Sequence, residues 1–197
     1  MESELRQQVV DTGLLLLEKK LVARTWGNVS ARVDSTHFLI TPSGLSYTKT
    51  TPEDLALFDM ETGTYEGEYK PSSEKGIHSA AYKAFSDVKF VIHTHQAYAT
   101  AFSLTGVDDI IMTRDEEEKL KGIMVAEYGL PGTKKLRDEV AACFNSGAHC
   151  VLMKHHGAVV VGSSKEDALE RIELLEDVCK RSYEGHKIGE DRKSTRL

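Results

Sequence analysis

Apolar residues recur along the chain with two different periods. From Ser3 to about Lys20 they lie at helical intervals, which predicts an amphipathic helix. A second helix is expected just after the segment "KFVIHTH", ending near Leu104. The remaining predicted helices run from Glu74 to about Phe85, with Ser73 as its cap, from Thr133 to about Asn145, and from Ser164 to about Tyr183.

Short apolar runs between these helices predict strands. The runs are Thr36–Thr41, Leu55–Gly67 (two strands around a Thr-Gly turn), Lys89–His95, Gly122–Gly129 and His149–Gly162. Helices and strands alternate without strict βαβ spacing, so we expect an α/β three-layer sandwich with a central mixed or antiparallel sheet covered by helices. No repeat or Pro/Gly/Ser-rich linker divides the chain, so residues 1–197 are expected to form a single domain.

Composition excludes some classes of function. The formal net charge of −6 argues against a broad nucleic-acid surface, which needs clustered cations. The longest apolar run is far shorter than about 18 residues, so neither a membrane span nor a secretory signal is expected. We therefore expect a cytoplasmic location. The cysteines are odd in number and widely spaced, which predicts reduced, mostly buried thiols: Cys143, Cys150 and Cys179.

Histidines provide the first candidate chemistry. His93 and His95 are separated by one residue on a predicted strand, so both side chains point to the same face and can converge on one ion. The pair His155–His156 in "KHHG" ends another apolar strand and offers a third ligand, and Gly157 permits close backbone approach. Three histidines with one free position describe a catalytic zinc site. The alternative is a set of solvated histidines at strand ends.

Small polar residues cluster in three further places. Ser72 and Ser73 precede a predicted helix start, where hydroxyls and unpaired N–H groups suit a phosphate, although a simple helix cap explains them too. Glu74 follows in the first helical turn. The segment "TWGNVSAR" is expected to hold its polar residues in a loop, and "TPSG" in a turn; ordinary loop chemistry is the alternative for Gly27, Asn28, Ser30, Ser43 and Gly44.

The motifs "GNVS", "ITPSG", "PSSE", "HTH" and "HHG" occur in one order and at separations that resemble the class II aldolase/adducin family. The resemblance extends from about Leu5 to Tyr183. It implies a zinc-dependent aldolase that cleaves a ketose 1-phosphate, L-fuculose 1-phosphate or a related deoxy sugar phosphate. The products would be dihydroxyacetone phosphate and an aldehyde such as lactaldehyde, formed through a metal-stabilised enediolate.

The resemblance also implies roles for individual residues. Glu74 would be the acid/base and, in the resting enzyme, a metal ligand together with His93, His95 and His156, whereas His155 would be a neighbour. One Zn²⁺ per subunit is implied, with Co, Mn or Fe as alternatives. A homotetramer with the site at a subunit interface is implied as well. The phosphate contacts would fall on Gly27, Asn28, Ser43, Gly44, Ser72 and Ser73.

Two departures from the family pattern leave alternatives open. The family has a tyrosine that acts as an acid toward the aldehyde, but the matching stretch, Asp108–Gly122, contains none. Its glutamates are expected on a solvated face, and Tyr128 matches a different family tyrosine. The mobile tail that helps close the site in some relatives is expected to be short or missing, since the sequence ends at Leu197.

Three other functions remain compatible with the motifs. A sugar-phosphate 4-epimerase would use the same metal site, but its aspartate-bearing acid motif is not found in Asp108–Gly122. A methylthioribulose-1-phosphate dehydratase is a second alternative. An adducin-like interaction module is the third, although such modules lose the metal ligands that this chain retains.

Overall fold

The computed structural model describes residues 2–105, 107 and 110–194 of the chain. Helices and strands alternate through most of its length. The helices are α1 Glu2–Glu18, α2 Lys75–Ala84, α3 Ala97–Thr105, α4 Arg114–Leu120, α5 Lys134–Asn145 and α6 Lys165–Ser194. The strands are β1 Asn28–Arg32, β2 His37–Ile40, β3 Ala56–Asp59, β4 Tyr65–Glu66, β5 Phe90–Thr94, β6 Ile123–Ala126, β7 Cys150–Met153 and β8 Gly157–Gly162.

All of these strands form one sheet, in the order β4-β3-β2-β1-β5-β8-β7-β6. Neighbouring strands are antiparallel except β6 and β7, which are parallel. The sheet is therefore mixed, as the alternation of elements predicts. β1, β5 and β8 are adjacent near its centre, with Asn28 opposite His93 and Thr94 opposite Ala158.

Each face of the sheet is covered by helices over its own apolar cluster. On one face α1, α3 and α6 pack over buried residues such as Val29, Ile92 and Leu152. On the other face α2 and α5 pack against each other and over residues such as Val91 and Val159. The three-layer prediction is confirmed. All three cysteines are buried free thiols, also as predicted.

Three details differ from the expectations. The segment expected as a loop around Asn28 and Ser30 is the central strand β1, because those two residues find buried partners within the protein. The N-cap of α2 is Glu74 rather than Ser73. The helix expected to end near Tyr183 continues through Lys165–Ser194.

Other segments agree with the expectations or refine them. His149–Gly162 forms two antiparallel strands, β7 and β8, joined by a short turn. Within Asp108–Gly122, helix α4 begins after an N-cap at Thr113, whose hydroxyl accepts a hydrogen bond from the backbone N–H of Glu116. Asp108 and Asp109 lie outside the described residues. Among the helices in the described part of the chain, none combines the length and apolarity needed to cross a bilayer.

Candidate metal centre and pocket

Three histidines converge at one edge of the sheet, where β5 ends and β8 begins. His93 lies in β5, His95 follows the end of that strand, and His156 lies in the turn that leads into β8. One ring nitrogen from each of the three lies within 4.8 Å of the others. The ring centroids are 4.7 Å apart for His93–His95 and 4.9 Å apart for the other two pairs. The structure therefore brings together the three histidines expected from the sequence.

Glu74 enters this cluster from the start of α2. Its carboxylate oxygens lie 3.2 Å from His93 Nε2 and 3.2 Å from His156 Nε2. His93 Nδ1 lies 2.8 Å from the carbonyl oxygen of Ala158 and donates a proton there, so Nε2 is the ring nitrogen that remains to bind a metal. Within the described residues, Glu74 Oε1 and His93 Nε2 are buried and lack a hydrogen-bond partner. Such donor atoms fit a divalent transition metal.

The charge state of the cluster also suits a metal. Burial, together with the neighbouring His93, lowers the pKa of His95 to about 3 and that of His156 to about 4. Both rings are therefore neutral near pH 7, and a neutral imidazole is the form that binds metals. Burial opposes the ionisation of Glu74, but the adjacent His93, His156 and the Asn28 amide together outweigh it and keep the pKa of Glu74 below its ordinary value.

Two glycines allow the strands to approach at the site. A Cβ on Gly157 would lie 2.1 Å from the carbonyl oxygen of Thr94, so only a glycine fits between β5 and β8 there. A Cβ on Gly27 would lie 2.6 Å from the carbonyl oxygen of His93, and the residue has φ +77°, a left-handed conformation that favours glycine. The glycines of "HHG" and "GNVS" are thus required by backbone contacts beside the histidines.

Glu74 is positioned by neighbours from two other segments. Its backbone N–H donates to the hydroxyl of Ser72 at 3.2 Å, and the side-chain amide of Asn28 donates to its Oε2 at 3.1 Å. Only 7 % of Glu74 is exposed. The carboxylate is therefore fixed at the boundary between the protein interior and the adjoining pocket.

A pocket of about 920 Å³ opens beside the cluster. Glu74, His95 and His156 line it, whereas His93 is fully buried. The residues expected to bind phosphate also line it, and these are Gly27, Asn28, Ser43, Gly44, Ser72 and Ser73. The motifs scattered through the first half of the sequence therefore meet around one cavity.

Aromatic residues complete the pocket in a way that the motifs alone do not predict. Trp26 is 56 % exposed and its ring lies 5.7 Å from that of His95. Tyr128, which also lines the pocket, meets His155 edge-on at 5.7 Å. His155 itself is exposed, with φ +59°, and is not part of the three-histidine cluster. The sequence signal for Tyr128 is its position near the end of the predicted strand Gly122–Gly129.

Comparison with known proteins agrees with this geometry. Residues 7–183 match the sequence model described as "Class II Aldolase and Adducin N-terminal domain". The chain belongs to the class II aldolase and adducin family. The resemblance read from the motifs is thus confirmed.

Individual relatives show which members of the family are similar. An L-fuculose phosphate aldolase from Methanococcus maripaludis is 33% identical over 86% of this chain and 91% of its own length. An L-ribulose-5-phosphate 4-epimerase from Salmonella paratyphi C is 30% identical over 91% of this chain and 84% of its own length. A solved structure of an L-fuculose 1-phosphate aldolase is 28% identical, with a TM-score of 0.83 over 94% of this chain and 88% of its own.

The close packing at Gly157 generates a first prediction. Gly157→Ala should destabilise the protein by about 1–3 kcal/mol, because the new methyl group must push β5 and β8 apart beside His93. Thermal unfolding should show a melting temperature lower by about 2–4 °C for each kcal/mol lost. Gly185→Ala in α6 is the control, because a Cβ there meets no atom within 4 Å. Equal melting temperatures for the two variants would contradict this account.

Proposed function

We propose that the chain is a metal-dependent lyase that cleaves a ketose 1-phosphate, L-fuculose 1-phosphate or a related deoxy sugar phosphate, to dihydroxyacetone phosphate and an aldehyde. The observation that carries the proposal is the buried carboxylate of Glu74 inside the three-histidine cluster, facing a pocket lined with serines and glycines. This arrangement combines a metal site, a proton-transfer group and a place for a phosphate. The family relationship supports a phosphorylated sugar as substrate.

His93, His95 and His156 would hold the metal, with Glu74 as a fourth ligand in the resting enzyme. Neutral imidazoles and one carboxylate suit Zn²⁺, and Co, Mn or Fe would also be accepted. When bound, the ion would supply a Lewis acid for the carbonyl and hydroxyl oxygens of the ketose phosphate. The proximity of Glu74 to the three histidines supports a catalytic function over a non-catalytic adducin-like module.

Glu74 would move the proton of the dihydroxyacetone phosphate half. Its Oε2 accepts a hydrogen bond from Asn28, whereas its Oε1 has no hydrogen-bond partner among the described residues. Both oxygens carry lone pairs, but Oε1, which lies 3.2 Å from His156 Nε2, accepts no hydrogen bond from the described residues that would compete with the substrate, so Oε1 would take the proton at carbon 3. A carboxylate within hydrogen-bonding reach of a carbon acid is a common general base.

The serine- and glycine-lined wall would hold the phosphate. Ser43 and Gly44 lie in one turn, Ser72 and Ser73 precede α2, and Gly27 and Asn28 lead into β1, so three segments face the same cavity. Backbone N–H groups at turns and at a helix start bind anions well. Fixing the phosphate would align the scissile bond with Glu74, which is how binding lowers the barrier.

A 4-epimerase is the second candidate, because a 30% identical relative covering 91% of this chain is named an L-ribulose-5-phosphate 4-epimerase. The two reactions break the same kind of carbon–carbon bond. They differ in whether the aldehyde leaves or is rejoined with the opposite configuration. Product analysis therefore distinguishes them.

Metal binding gives a direct prediction for the histidine cluster. Purified protein should bind about one divalent ion per chain, and His156→Ala should weaken its affinity at least tenfold because one ligand is lost. His155→Ala is the matched control: the neighbouring residue is exposed and lies outside the cluster. Isothermal titration of the metal-free variants with Zn²⁺ measures this. Equal losses for the two variants would remove His156 from the ligand set.

The reaction itself is tested with dihydroxyacetone phosphate and a panel of aldehydes: lactaldehyde, acetaldehyde and glycolaldehyde. A fast reaction with L-lactaldehyde alone would support L-fuculose 1-phosphate as the substrate, and broad acceptance would favour an aldolase for other deoxy sugar phosphates. Epimerisation of L-ribulose 5-phosphate without release of an aldehyde would favour the second candidate. Metal-loaded protein that forms no adduct would refute the aldolase proposal.

Glu74→Gln separates proton transfer from binding in the same assay. The amide cannot accept the proton, so exchange of the carbon-bound hydrogen of dihydroxyacetone phosphate with solvent deuterium should fall to background. Affinity for the phosphate should stay near that of the wild type because the wall residues are unchanged. Exchange at the wild-type rate would remove Glu74 from its proposed role.

We further propose that the protein is a homotetramer with the pocket at a subunit interface. The family resemblance implies this assembly, and Trp26, Tyr128 and Leu130, which lie on or next to the pocket rim and are 56 %, 44 % and 60 % exposed, are the apolar side chains that a subunit interface there would cover. Light scattering should give four chain masses, and Leu130→Asp should reduce this value. A monomer that catalyses the reaction at full rate would contradict the assembly.

A further inference from the structure

A row of buried polar groups extends from Glu74 into the interior of the protein. The amide Nδ2 of Asn28 lies 3.1 Å from Glu74 Oε2, and its Oδ1 is in contact with His78 Nε2. The other ring nitrogen of His78, Nδ1, lies 2.6 Å from the hydroxyl of Ser30, which lies 2.7 Å from the phenol oxygen of Tyr82. We refer to these four residues, Asn28, His78, Ser30 and Tyr82, as the relay residues.

The relay residues are shielded from water. His78 and Ser30 are fully buried, and Asn28 and Tyr82 are each 3 % exposed. Burial lowers the pKa of His78 to about 3, so the ring is neutral near pH 7 and carries one proton. A neutral imidazole donates a hydrogen bond from one nitrogen and accepts one at the other. The two hydrogen bonds of His78 therefore run in the same direction along the row.

The Glu74 carboxylate determines which atom donates and which accepts in each hydrogen bond of the row. An ionised Glu74 accepts hydrogen bonds and cannot donate them, so Asn28 must present Nδ2 to it and turn Oδ1 toward His78. His78 must then carry its proton on Nε2. Its Nδ1 is left to accept from Ser30. Because the one hydroxyl proton of Ser30 is then used, its oxygen accepts from Tyr82 at 2.7 Å, a shorter contact than the 3.5 Å from the phenol to the carbonyl oxygen of Lys89. Every hydrogen bond in the row therefore points toward Glu74.

Regular geometry produces this row. Glu74, His78 and Tyr82 are spaced by four residues and lie along one side of α2. Asn28 and Ser30 are two residues apart on β1 and point to the same face of the sheet. Four residues of a helix advance about 6 Å and two residues of a strand about 6.6 Å. The spacing of these side chains along α2 therefore matches their spacing along β1.

We propose that the relay residues position Glu74: His78, protonated on Nε2, orients the Asn28 amide so that it engages Oε2 and leaves Oε1 as the oxygen that exchanges the proton with substrate. This inference rests on the proposed function, because it assigns the roles of the two oxygens in that reaction. His78 is a positioning residue that acts through Asn28. Its effect falls on the rate of proton transfer rather than on binding of metal or phosphate.

The far end of the row is fixed to the protein frame. The guanidinium of Arg32 lies 4.7 Å from the centre of the Tyr82 ring and donates to the carbonyl oxygens of Tyr82 and Phe85. The Tyr82 ring therefore packs against Arg32 at the end of β1, and its hydroxyl also lies 3.5 Å from the carbonyl oxygen of Lys89. With the Tyr82 ring held in this way, the relay residues need no hydrogen bonds from water to keep their orientation.

Two substitutions at His78 test the proposal. His78→Leu removes the donor to Asn28 and should slow deuterium exchange into dihydroxyacetone phosphate by about ten- to hundredfold, the usual effect of losing such an outer partner. His78→Gln keeps an N–H near the position of Nε2 and should retain a rate close to that of the wild type. In both variants, bound metal and KM should change far less than kcat, which should follow the exchange rate. A wild-type rate in His78→Leu would overturn the proposal.

The tautomer of His78 provides a readout independent of activity. In ¹⁵N-labelled protein, the ring signals that vanish in His78→Gln should show a protonated Nε2 and a bare Nδ1. Protonated Nδ1 would overturn the proposal whatever the activity. Wild-type protein with no exchange would refute the proposed function instead, and the tautomer would then decide alone whether the row has the inferred direction.

Ser30→Ala keeps the proposal testable if the His78 variants fail to fold. It removes the donor to Nδ1, so the Nδ1-protonated tautomer should become detectable and exchange should slow severalfold. Ser103→Ala is the matched control, because Ser103 is equally buried but donates to Thr100 within α3. Equal behaviour of the two serine variants, in both tautomer and rate, would overturn the proposal.

Discussion

A carboxylate buried among imidazole rings is the interaction on which the rest of the site depends. An unpaired buried charge would cost several kcal/mol, so Glu74 must find its partners within the fold. His93 comes from β5, His156 from the turn before β8 and Asn28 from β1. These three elements can surround one side chain only because β1, β5 and β8 are neighbours in the sheet. The set of side chains around Glu74 thus depends on the order of the central strands in the sheet.

Strand β1 contributes apolar side chains to one face of the sheet and polar side chains to the other. On the face covered by α1, α3 and α6, β1 contributes Val29 and Ala31 to an apolar cluster. On the α2 face the same strand contributes Asn28 and Ser30, although its neighbours at that level, Ile40 and Val91, are apolar. Because side chains alternate along β1, the strand packs into the apolar cluster on one face of the sheet and contacts Glu74 through Asn28 on the other.

Local patterns in the sequence predict most of the architecture, and the exceptions have physical causes. The apolar periods predict the strands other than β1 and every helix except α4, because those side chains pack against the core, and "HTH" predicts two converging imidazoles because strand geometry is regular. Helix α4 is highly charged and has no apolar period to indicate it. β1 was missed because "NVSAR" is short and half polar, and polar residues on a buried strand need partners that a local pattern does not contain. The same holds for His78 and Tyr82, whose four-residue spacing from Glu74 was visible but gained meaning only when β1 lay beside α2.

Stability alone is a weak explanation for the polar residues between β1 and α2. Buried polar and charged groups can often be replaced by apolar side chains of similar volume at little loss, and sometimes with a gain, in the free energy of unfolding. The surroundings of Ser30 and His78 are apolar, with Phe38 stacked near the His78 ring at 6.4 Å, so an apolar filling would suit the space. What an apolar filling cannot supply is a donor aimed at Asn28, and through it a fixed orientation for the carboxylate. The direction of the hydrogen bonds, rather than their number, is therefore the property through which this part of the interior would serve the proposed proton transfer at Glu74.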